Sequence, residues 1–288
     1  MTEWSSIVVL VSTEDVDRVC GHLWDLGVSG IEEHDIDHDT RELRIGCSTA
    51  LADSVVDALS SEWSPRVEAV AADFGLDAWR DHAESWRVDR FCVVPPWLDV
   101  PGDVREDELV LLIDPGHAFG SASHPTTRMC LDVLSERVHP GMAVADIGCG
   151  SGVLAIAAAR LGAGVVVATD ISPEAIVATL DNVRRNDVAD IIEVTTAAVH
   201  ELQPTSFDLV VANIGAATLR SLAPALVDLL TSTGVLVLSG VLEEQSLQVL
   251  TQFEGEGLRR HEIVELEDWR SLVMVWNDDD PGAVHRNR

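Results

Sequence analysis

The spacing of apolar residues in the first quarter of the chain predicts a small unit of mixed helices and strands. Runs in which apolar and polar residues alternate predict strands, and runs with apolar residues three or four positions apart predict helices. Between residues 4 and 73 these patterns give, in order, a strand, a helix, two strands, a helix and a strand: Trp4–Val11, Glu14–Leu26, Ser29–Ile36, Glu42–Cys47, Leu51–Trp63 and Arg66–Ala72. This β-α-β-β-α-β order is that of the ferredoxin-like fold. We therefore predict a ferredoxin-like α+β domain over residues 1–73.

A linker is predicted over residues 74–94. Trp79 and Trp86 are two helical turns apart, which indicates a helix over residues 77–87 that packs on one side. Aromatic residues at such a spacing more often belong to a core than to a contact surface. A short apolar strand, Phe91–Val94, ends the linker.

Strand and helix patterns alternate from residue 95 to residue 276. Such alternation is typical of an α/β doubly wound fold, in which a mostly parallel sheet is covered by helices on both faces. We therefore predict a Rossmann-like domain over residues 95–276. The last residues, 277–288, are polar, and we expect them to form a flexible tail.

The clearest chemical signal in this second region is V-A-D-I-G-C-G-S-G at residues 144–152. We predict a short strand, a tight turn at Gly148, Gly150 and Gly152, and an Ala-rich helix after it. Glycines permit close approach of the backbone to a ligand, and the first N–H groups of the helix point back at that ligand. Asp170 ends the next apolar strand, where its carboxylate is placed to bind two ribose hydroxyls. The pattern indicates a nucleoside-binding site.

The glycine spacing discriminates between nucleoside cofactors. A dinucleotide fingerprint, G-x-G-x-x-G, needs a glycine where this chain has Val153, so an NAD-linked dehydrogenase is disfavoured. The spacing G-x-G-x-G is instead the pattern of S-adenosylmethionine-dependent methyltransferases. In those enzymes an acidic residue two positions before the first glycine, here Asp146, lies near the methionine end of the cofactor. A Rossmann-like turn without a ligand is the alternative.

The charge of the chain restricts its partners. The formal net charge is -30, and the 19 basic residues are all arginine. Such a field repels nucleic-acid phosphates and anionic membranes, so we expect no direct nucleic-acid partner and no membrane partner. A basic protein would be attracted. Adaptation of solubility to salt, or a GC-rich genome that favours arginine over lysine, is the simpler account of the charge.

Cysteine and histidine positions give no sign of a metal or disulfide site. The five cysteines are scattered and form no C-x-x-C pair, and the histidines show no metal-ligand spacing. No apolar stretch is long enough to span a bilayer, and no leader pattern opens the chain. We therefore expect a cytoplasmic protein without a metal.

Three motifs together resemble one family. They are D-P-G-H-A-F-G-S-A-S-H-P-T-T at residues 114–127, D-I-G-C-G-S-G at 146–152, and A-N-I-G-A at 212–216. In this order they resemble the PrmA family, the methyltransferases that modify protein eleven of the large ribosomal subunit. The resemblance runs from about Trp79 to Trp276. It implies S-adenosylmethionine-dependent N-methylation of lysine or N-terminal amines of a large-subunit ribosomal protein, with a small N-terminal domain that recognises this substrate.

The resemblance also implies roles for individual residues. It implies that Thr127, Gly148, Asp170 and Asn213 contact S-adenosylmethionine, and that Phe119 closes over the cofactor. Together with the residues that the glycine turn itself indicates, the expected cofactor-binding set is Thr127, Gly148, Asp170, Asn213, Asp146, Gly150 and Phe119. Asn213 is the candidate catalytic residue, because its side-chain carbonyl can accept an N–H from the attacking amine without a charge that would stabilise the ammonium form.

The chain departs from the family pattern at three places. Residues 120–123 read G-S-A-S where the family prefers G-T-G-T, and Gly215 replaces a leucine. Residues 196–198 read T-A-A and lack the acidic residue that many methyltransferases aim at the adenine amine. These departures leave two alternatives open: a related methyltransferase with another protein or small-molecule substrate, and a non-catalytic adaptor that binds the cofactor.

Three of the polar residues in these motifs also have structural interpretations. Thr127 could be the N-cap of a helix over Arg128–Leu134. His124, which precedes a proline, is either a proton relay or a structural hydrogen-bonding group. Asn213 could form a turn at the end of its strand.

Overall fold

The structure is a computed structural model that describes residues 4–28, 30–68, 83–114 and 123–277. The chain divides into two units, residues 1–82 and 83–288. The first contains β1 (Trp4–Ser12), α1 (Val16–Asp25), β2 (Gly30–Asp35), β3 (Thr40–Ser48), α2 (Thr49–Leu59) and β4 (Arg66–Glu68). Its sheet has the order β2-β3-β1-β4, and each neighbouring pair is antiparallel. The predicted ferredoxin-like order of elements is confirmed in the described part of this unit.

Alternation along the strands explains why this sheet has one buried face. In β3, Leu43, Ile45 and Cys47 are fully buried, and the residues between them are partly exposed. Side chains two apart on a strand point to the same face, so these three lie on the apolar side of the sheet. The helix α2 ends at Leu59, four residues before the predicted end.

The second unit begins with a small three-stranded sheet that corrects one prediction. It comprises β5 (Trp86–Val88), β6 (Phe91–Val94) and β7 (Leu109–Leu112). The predicted linker helix over residues 77–87 is wrong at its end, because Trp86 begins a strand. Antiparallel pairing with β6, Trp86 opposite Val93 and Val88 opposite Phe91, outweighs the local helical spacing. The earlier part of the predicted helix, including Trp79, lies outside the described residues.

The rest of this unit alternates helices and strands as predicted. The elements are α3 (Pro125–Arg137), β8 (Ala143–Ile147), α4 (Val153–Arg160), β9 (Val165–Thr169), α5 (Pro173–Arg185), β10 (Ile192–Thr195), β11 (Phe207–Asn213), α6 (Ala216–Asp228), β12 (Leu230–Leu242), α7 (Glu243–Gly255), β13 (Leu258–Leu266) and β14 (Trp269–Trp276). Their sheet has the order β10-β9-β8-β11-β12-β14-β13. The five strands from β10 to β12 pair in parallel, and β14 is antiparallel to both neighbours.

The order of the strands determines where a ligand can bind. From β8 the chain proceeds to β9 on one side, and it returns to β11 on the other. Crevices of open α/β sheets form at such a switch point, outside the carboxyl ends of the strands. Apolar side chains of successive residues on β8 enter opposite cores: Val144 packs with α4, and Ala145 packs with α6 and α7. The predicted doubly wound α/β fold is confirmed.

Candidate functional site

The turn between β8 and α4 requires glycine at its three glycine positions. Gly148, Gly150 and Gly152 have φ of +74°, +54° and +79°, a region that residues with a β-carbon rarely adopt. Space is limiting as well. A β-carbon on Gly148 would lie 2.4 Å from Cγ2 of Ile214, and one on Gly152 would lie 2.7 Å from Cγ2 of Thr179. A side chain at Gly148 or Gly152 would therefore clash with its neighbours.

Asp170 is held in place by the backbone on both sides. Its Oδ2 accepts a hydrogen bond from the N–H of Gly150 at 3.0 Å, and its Oδ1 accepts one from the N–H of Ser172 at 2.9 Å. Each carboxylate oxygen can accept a second donor, so the group remains able to bind hydroxyls. The carboxylate thus lies beside the glycine turn, where the sequence predicted it.

Ile171 is a feature of this edge that the sequence reading missed. It follows Asp170 directly, and it is 92% exposed. A large apolar side chain in water beside a fixed carboxylate is suited to cover the apolar face of a ligand. An apolar residue between a strand-ending aspartate and the Ser-Pro that starts the next helix is the sequence signal that could have indicated it.

Asp146 carries a buried carboxyl group that is only half satisfied. It is 1% exposed, and its Oδ2 accepts a hydrogen bond from the N–H of Ala155 at 3.0 Å. Its Oδ1 has no hydrogen-bond partner among the described residues. Burial, supported by the negative charge of Asp170, raises the pKa of Asp146 to about 7, although the Ala155 bond acts in the opposite direction. Ionising such a group is costly unless a cation or a further donor approaches it.

Asn213 and Thr127 meet although they are far apart in sequence. Asn213 ends β11, and its Nδ2 donates a long hydrogen bond of 3.5 Å to Oγ1 of Thr127, which is fully buried in the first turn of α3. With Nδ2 engaged, the carbonyl Oδ1 of Asn213 remains the acceptor. The bond is not to the turn that follows Asn213, so it gives no support to the interpretation of this residue as a local turn former.

Helix α3 begins earlier than predicted, and this changes the assignment of two residues. Its N-cap is His124, whose Nδ1 accepts a hydrogen bond from the N–H of Thr126 at 3.3 Å, and Pro125 occupies the first turn. The interpretation of Thr127 as the N-cap is therefore wrong. Proline suits the start of a helix because its missing N–H would be unpaired there anyway.

His124 is a structural hydrogen-bonding group. Burial lowers the pKa of its imidazole to about 4, so the ring is neutral at physiological pH. It packs edge to face against Trp269, with ring centroids 5.0 Å apart. The N-cap bond and this packing confirm the structural interpretation of His124. A base with so low a pKa also holds a proton too weakly to relay it at neutral pH.

The structure therefore brings the predicted residues together in two groups. Asp146, Gly148, Gly150 and Asp170 lie at the carboxyl ends of β8 and β9, and Asn213 with Thr127 lies at the end of β11. The two groups adjoin at Gly148 and Ile214. Phe119 lies outside the described residues, as do residues 115–122 of the first motif.

The donors and acceptors at this edge fit S-adenosylmethionine. The Asp170 carboxylate can accept ribose hydroxyls, and the glycine turn permits close approach of a nucleoside. The unpaired, buried carboxyl of Asp146 suits the cationic end of the same molecule.

In the described residues no group of three or more potential metal ligands occurs. None of the described helices is long and apolar enough to cross a membrane.

Comparison with known proteins gives consistent matches over most of the chain. The model of a family described as "Ribosomal protein L11 methyltransferase (PrmA)" matches residues 66–277. A ribosomal protein L11 methyltransferase of Syntrophotalea carbinolica is 35% identical over 94% of this chain and 98% of its own length. One from Pelotomaculum thermopropionicum is 43% identical over 71% of this chain and 66% of its own. A crystal structure of ribosomal protein L11 methylase from Lactobacillus delbrueckii subsp. bulgaricus is 30% identical, with a TM-score of 0.63, and covers 68% of this chain and 100% of its own.

Proposed function

Because this chain belongs to the ribosomal protein L11 methyltransferase (PrmA) family, we propose that it transfers methyl groups from S-adenosylmethionine to amines of L11 in the cytoplasm. The amines are those of lysine side chains or of the N-terminus. The observation that carries this proposal is the pair of carboxyl groups at the switch point of the sheet. Asp170 is fixed by two backbone N–H groups, and Asp146 is buried with one oxygen unpaired among the described residues.

The two carboxyl groups divide the recognition of the cofactor between them. Asp170 would bind the ribose hydroxyls, and the exposed side chain of Ile171 would cover the adenine. Asp146 would hold the positively charged end, which would favour ionisation of its carboxyl. Because cation binding releases the proton that a group with a pKa of about 7 still holds, affinity for the cofactor should rise as pH increases toward 7 and then level off.

The attacking amine must be neutral, although lysine has a pKa of about 10.4 in water. When bound, S-adenosylmethionine supplies a methyl group on a positively charged sulfur, which leaves as a neutral thioether. Asn213 accepts an N–H of the neutral amine through Oδ1, and its lack of charge avoids stabilising the ammonium form. Thr127 orients the amide by accepting from Nδ2. Alignment of amine, methyl carbon and sulfur then supplies much of the rate.

No general base is needed for the transfer itself. In that transfer the N–C bond would form as the S–C bond breaks, so the positive charge would move from sulfur to the methylated nitrogen. The excess proton leaves to water after the transfer. His124 takes no part, because its pKa of about 4 makes it a poor proton acceptor and its imidazole caps helix α3.

Substitution at Asn213 tests this mechanism. The Asn213→Asp variant should methylate L11 slowly at neutral pH and recover partly as pH approaches the lysine pKa, because an anion at this position holds the amine as ammonium. Asn213→Ala should reduce the transfer rate more than cofactor affinity, because alignment is lost. Single-turnover methylation and calorimetric titration of S-adenosylmethionine measure the two quantities. Equal transfer rates for the wild type and both variants would remove Asn213 from the mechanism. Cofactor binding without any turnover in the wild type would favour the alternative of a non-catalytic adaptor.

A further inference from the structure

One face of helix α5 carries buried polar side chains where apolar ones would be expected. Thr179 and Asn182 are fully buried, and Asn186, which caps the end of the helix, is 4% exposed. Their spacing of three and four positions places them in one row along the helix. Burying an amide costs free energy unless each donor and acceptor is paired. The contacts of this row therefore show what the helix must hold in place.

Asn186 pairs with the backbone of strand β7. Its Oδ1 accepts from the N–H of Leu112 at 2.9 Å, and its Nδ2 donates to the carbonyl oxygen of Leu112 at 2.8 Å. Its Nδ2 also donates to the carbonyl oxygen of Asn182 at 2.8 Å. The side chain thus extends the hydrogen bonding of β7, and no hydrogen bond among the described residues joins it to the glycine turn.

Asn182 makes the same pair of bonds with Asp114, two residues after Leu112, and it also bonds to the glycine turn. Its Oδ1 accepts from the N–H of Asp114 at 2.9 Å, and its Nδ2 donates to the carbonyl oxygen of Asp114 at 2.8 Å. The same Nδ2 donates to the carbonyl oxygen of Ser151 at 2.9 Å. One amide therefore joins two segments that are distant in sequence.

Ser151 lies inside the turn that positions the carboxylate of Asp170. The preceding residue, Gly150, donates its N–H to that carboxylate, and its carbonyl oxygen accepts from Oγ1 of Thr179 at 2.9 Å. The row on α5 thus holds two consecutive carbonyl groups of the turn. Asp114, the other contact of Asn182, is the first residue of the D-P-G-H-A-F-G motif.

We propose that Asn182 is a positioning residue for the nucleoside cofactor, through the bonds that join Ser151 of the glycine turn to Asp114. The proposal rests on the cofactor assigned under the proposed function. Asn182 acts through the turn, which it holds in the conformation in which the N–H of Gly150 donates to the carboxylate of Asp170. Asn186 has the same side chain and a similar burial, and it bonds to β7 and to the backbone of Asn182, but no hydrogen bond among the described residues joins it to the turn.

The two asparagines form a matched pair for the test. In Asn182→Asp and in Asn186→Asp an amide that donates to two carbonyl oxygens is replaced by a carboxylate of the same shape, so both variants should lose stability. Nη1 of Arg185 donates to Oδ1 of Asn182 at 2.8 Å, so an ion pair with Arg185 should offset part of the loss in Asn182→Asp. Asn182→Asp should bind S-adenosylmethionine about tenfold more weakly, and Asn186→Asp should stay within about twofold of the wild type. In L11 methylation, the KM for the cofactor should rise in Asn182→Asp with little change in kcat.

Calorimetric titration and urea unfolding of the full-length chain measure affinity and stability separately. Equal loss of affinity in both variants at equal loss of stability would overturn the proposal, as would an undiminished affinity of Asn182→Asp. If Asn182→Asp does not fold, hydrogen exchange of the wild type decides. S-adenosylmethionine should then slow exchange of the Asp114 amide more than that of the Leu112 amide, and equal protection would overturn the proposal. Failure of the wild type to bind S-adenosylmethionine would instead refute the proposed function.

Discussion

Adding one methyl group to the glycine turn is expected to disable cofactor binding. The Gly148→Ala substitution places a β-carbon 2.4 Å from Cγ2 of Ile214 on a residue with φ of +74°. The conformation alone costs about 1–2 kcal/mol. The steric overlap adds about 1–3 kcal/mol, as overpacking does elsewhere. Ile214 cannot rotate away cheaply, because its side chain is branched at Cβ and its N–H donates to the carbonyl oxygen of Ser239 at 3.2 Å.

Gly141 provides the matched control. It has φ of +89°, and a β-carbon there meets nothing within 4 Å, so Gly141→Ala carries only the conformational cost. We expect Gly148→Ala to lose more unfolding free energy in urea than Gly141→Ala. Its affinity for S-adenosylmethionine by calorimetry should fall at least about tenfold, which is about 1.4 kcal/mol, while Gly141→Ala binds as the wild type does.

A double-mutant cycle separates the steric part from the conformational part. Ile214→Ala removes Cγ2, so the effect of Gly148→Ala on stability in that background should approach the effect of Gly141→Ala. The reasoning would be refuted if Gly148→Ala cost no more than Gly141→Ala, or if it cost the same with and without the Ile214 side chain.

Three further predictions concern ionisable groups and the N-terminal unit. Asp146→Asn should be about 1–3 kcal/mol more stable than the wild type in urea at pH 8, with a smaller gain at pH 5, and should bind the cofactor more weakly. The folded-state pKa of Asp146, about 7, lies above the ordinary value, so ionising this carboxyl costs stability as pH rises. A wild type that is equally or more stable at pH 8 would contradict this. The pKa of His124 lies at about 4, below its ordinary value, so the unfolded chain takes up a proton first, and between pH 6.5 and pH 4 the wild type should lose about 3 kcal/mol of stability relative to His124→Asn. Parallel pH profiles of the two proteins would contradict this. A chain without residues 1–73 should keep its cofactor affinity but no longer methylate folded L11, whereas methylation at the full rate would require another role for that domain.

The parts of the site that depend on local backbone geometry could be predicted from the sequence. Three glycines in a turn after an apolar strand permit positive φ and therefore a tight turn, and all three adopt positive φ. Asp170 follows from the same logic, since a residue that ends the next parallel strand must lie at the same edge of the sheet.

The parts that depend on distant contacts could not be predicted in this way. Trp86 lies in a strand because β6 pairs with it, and no local pattern indicates that pairing. Asn182 bonds to Asp114 across 68 positions, and on an amphipathic helix its residue type is more simply interpreted as solvent-exposed. Helix α3 is capped by His124 and not by Thr127, and no sequence pattern indicated this because histidine is not among the preferred N-cap residues.

The most direct test of the proposed activity is intact-mass measurement of L11 after incubation with the purified chain and S-adenosylmethionine. We predict that L11 gains mass in steps of one methyl group, that peptide mapping places the gain on lysine side chains or the N-terminal amine, and that Gly148→Ala adds far less than Gly141→Ala under the same conditions. An L11 mass that stays unchanged with a folded wild-type chain that binds S-adenosylmethionine would contradict the proposed function.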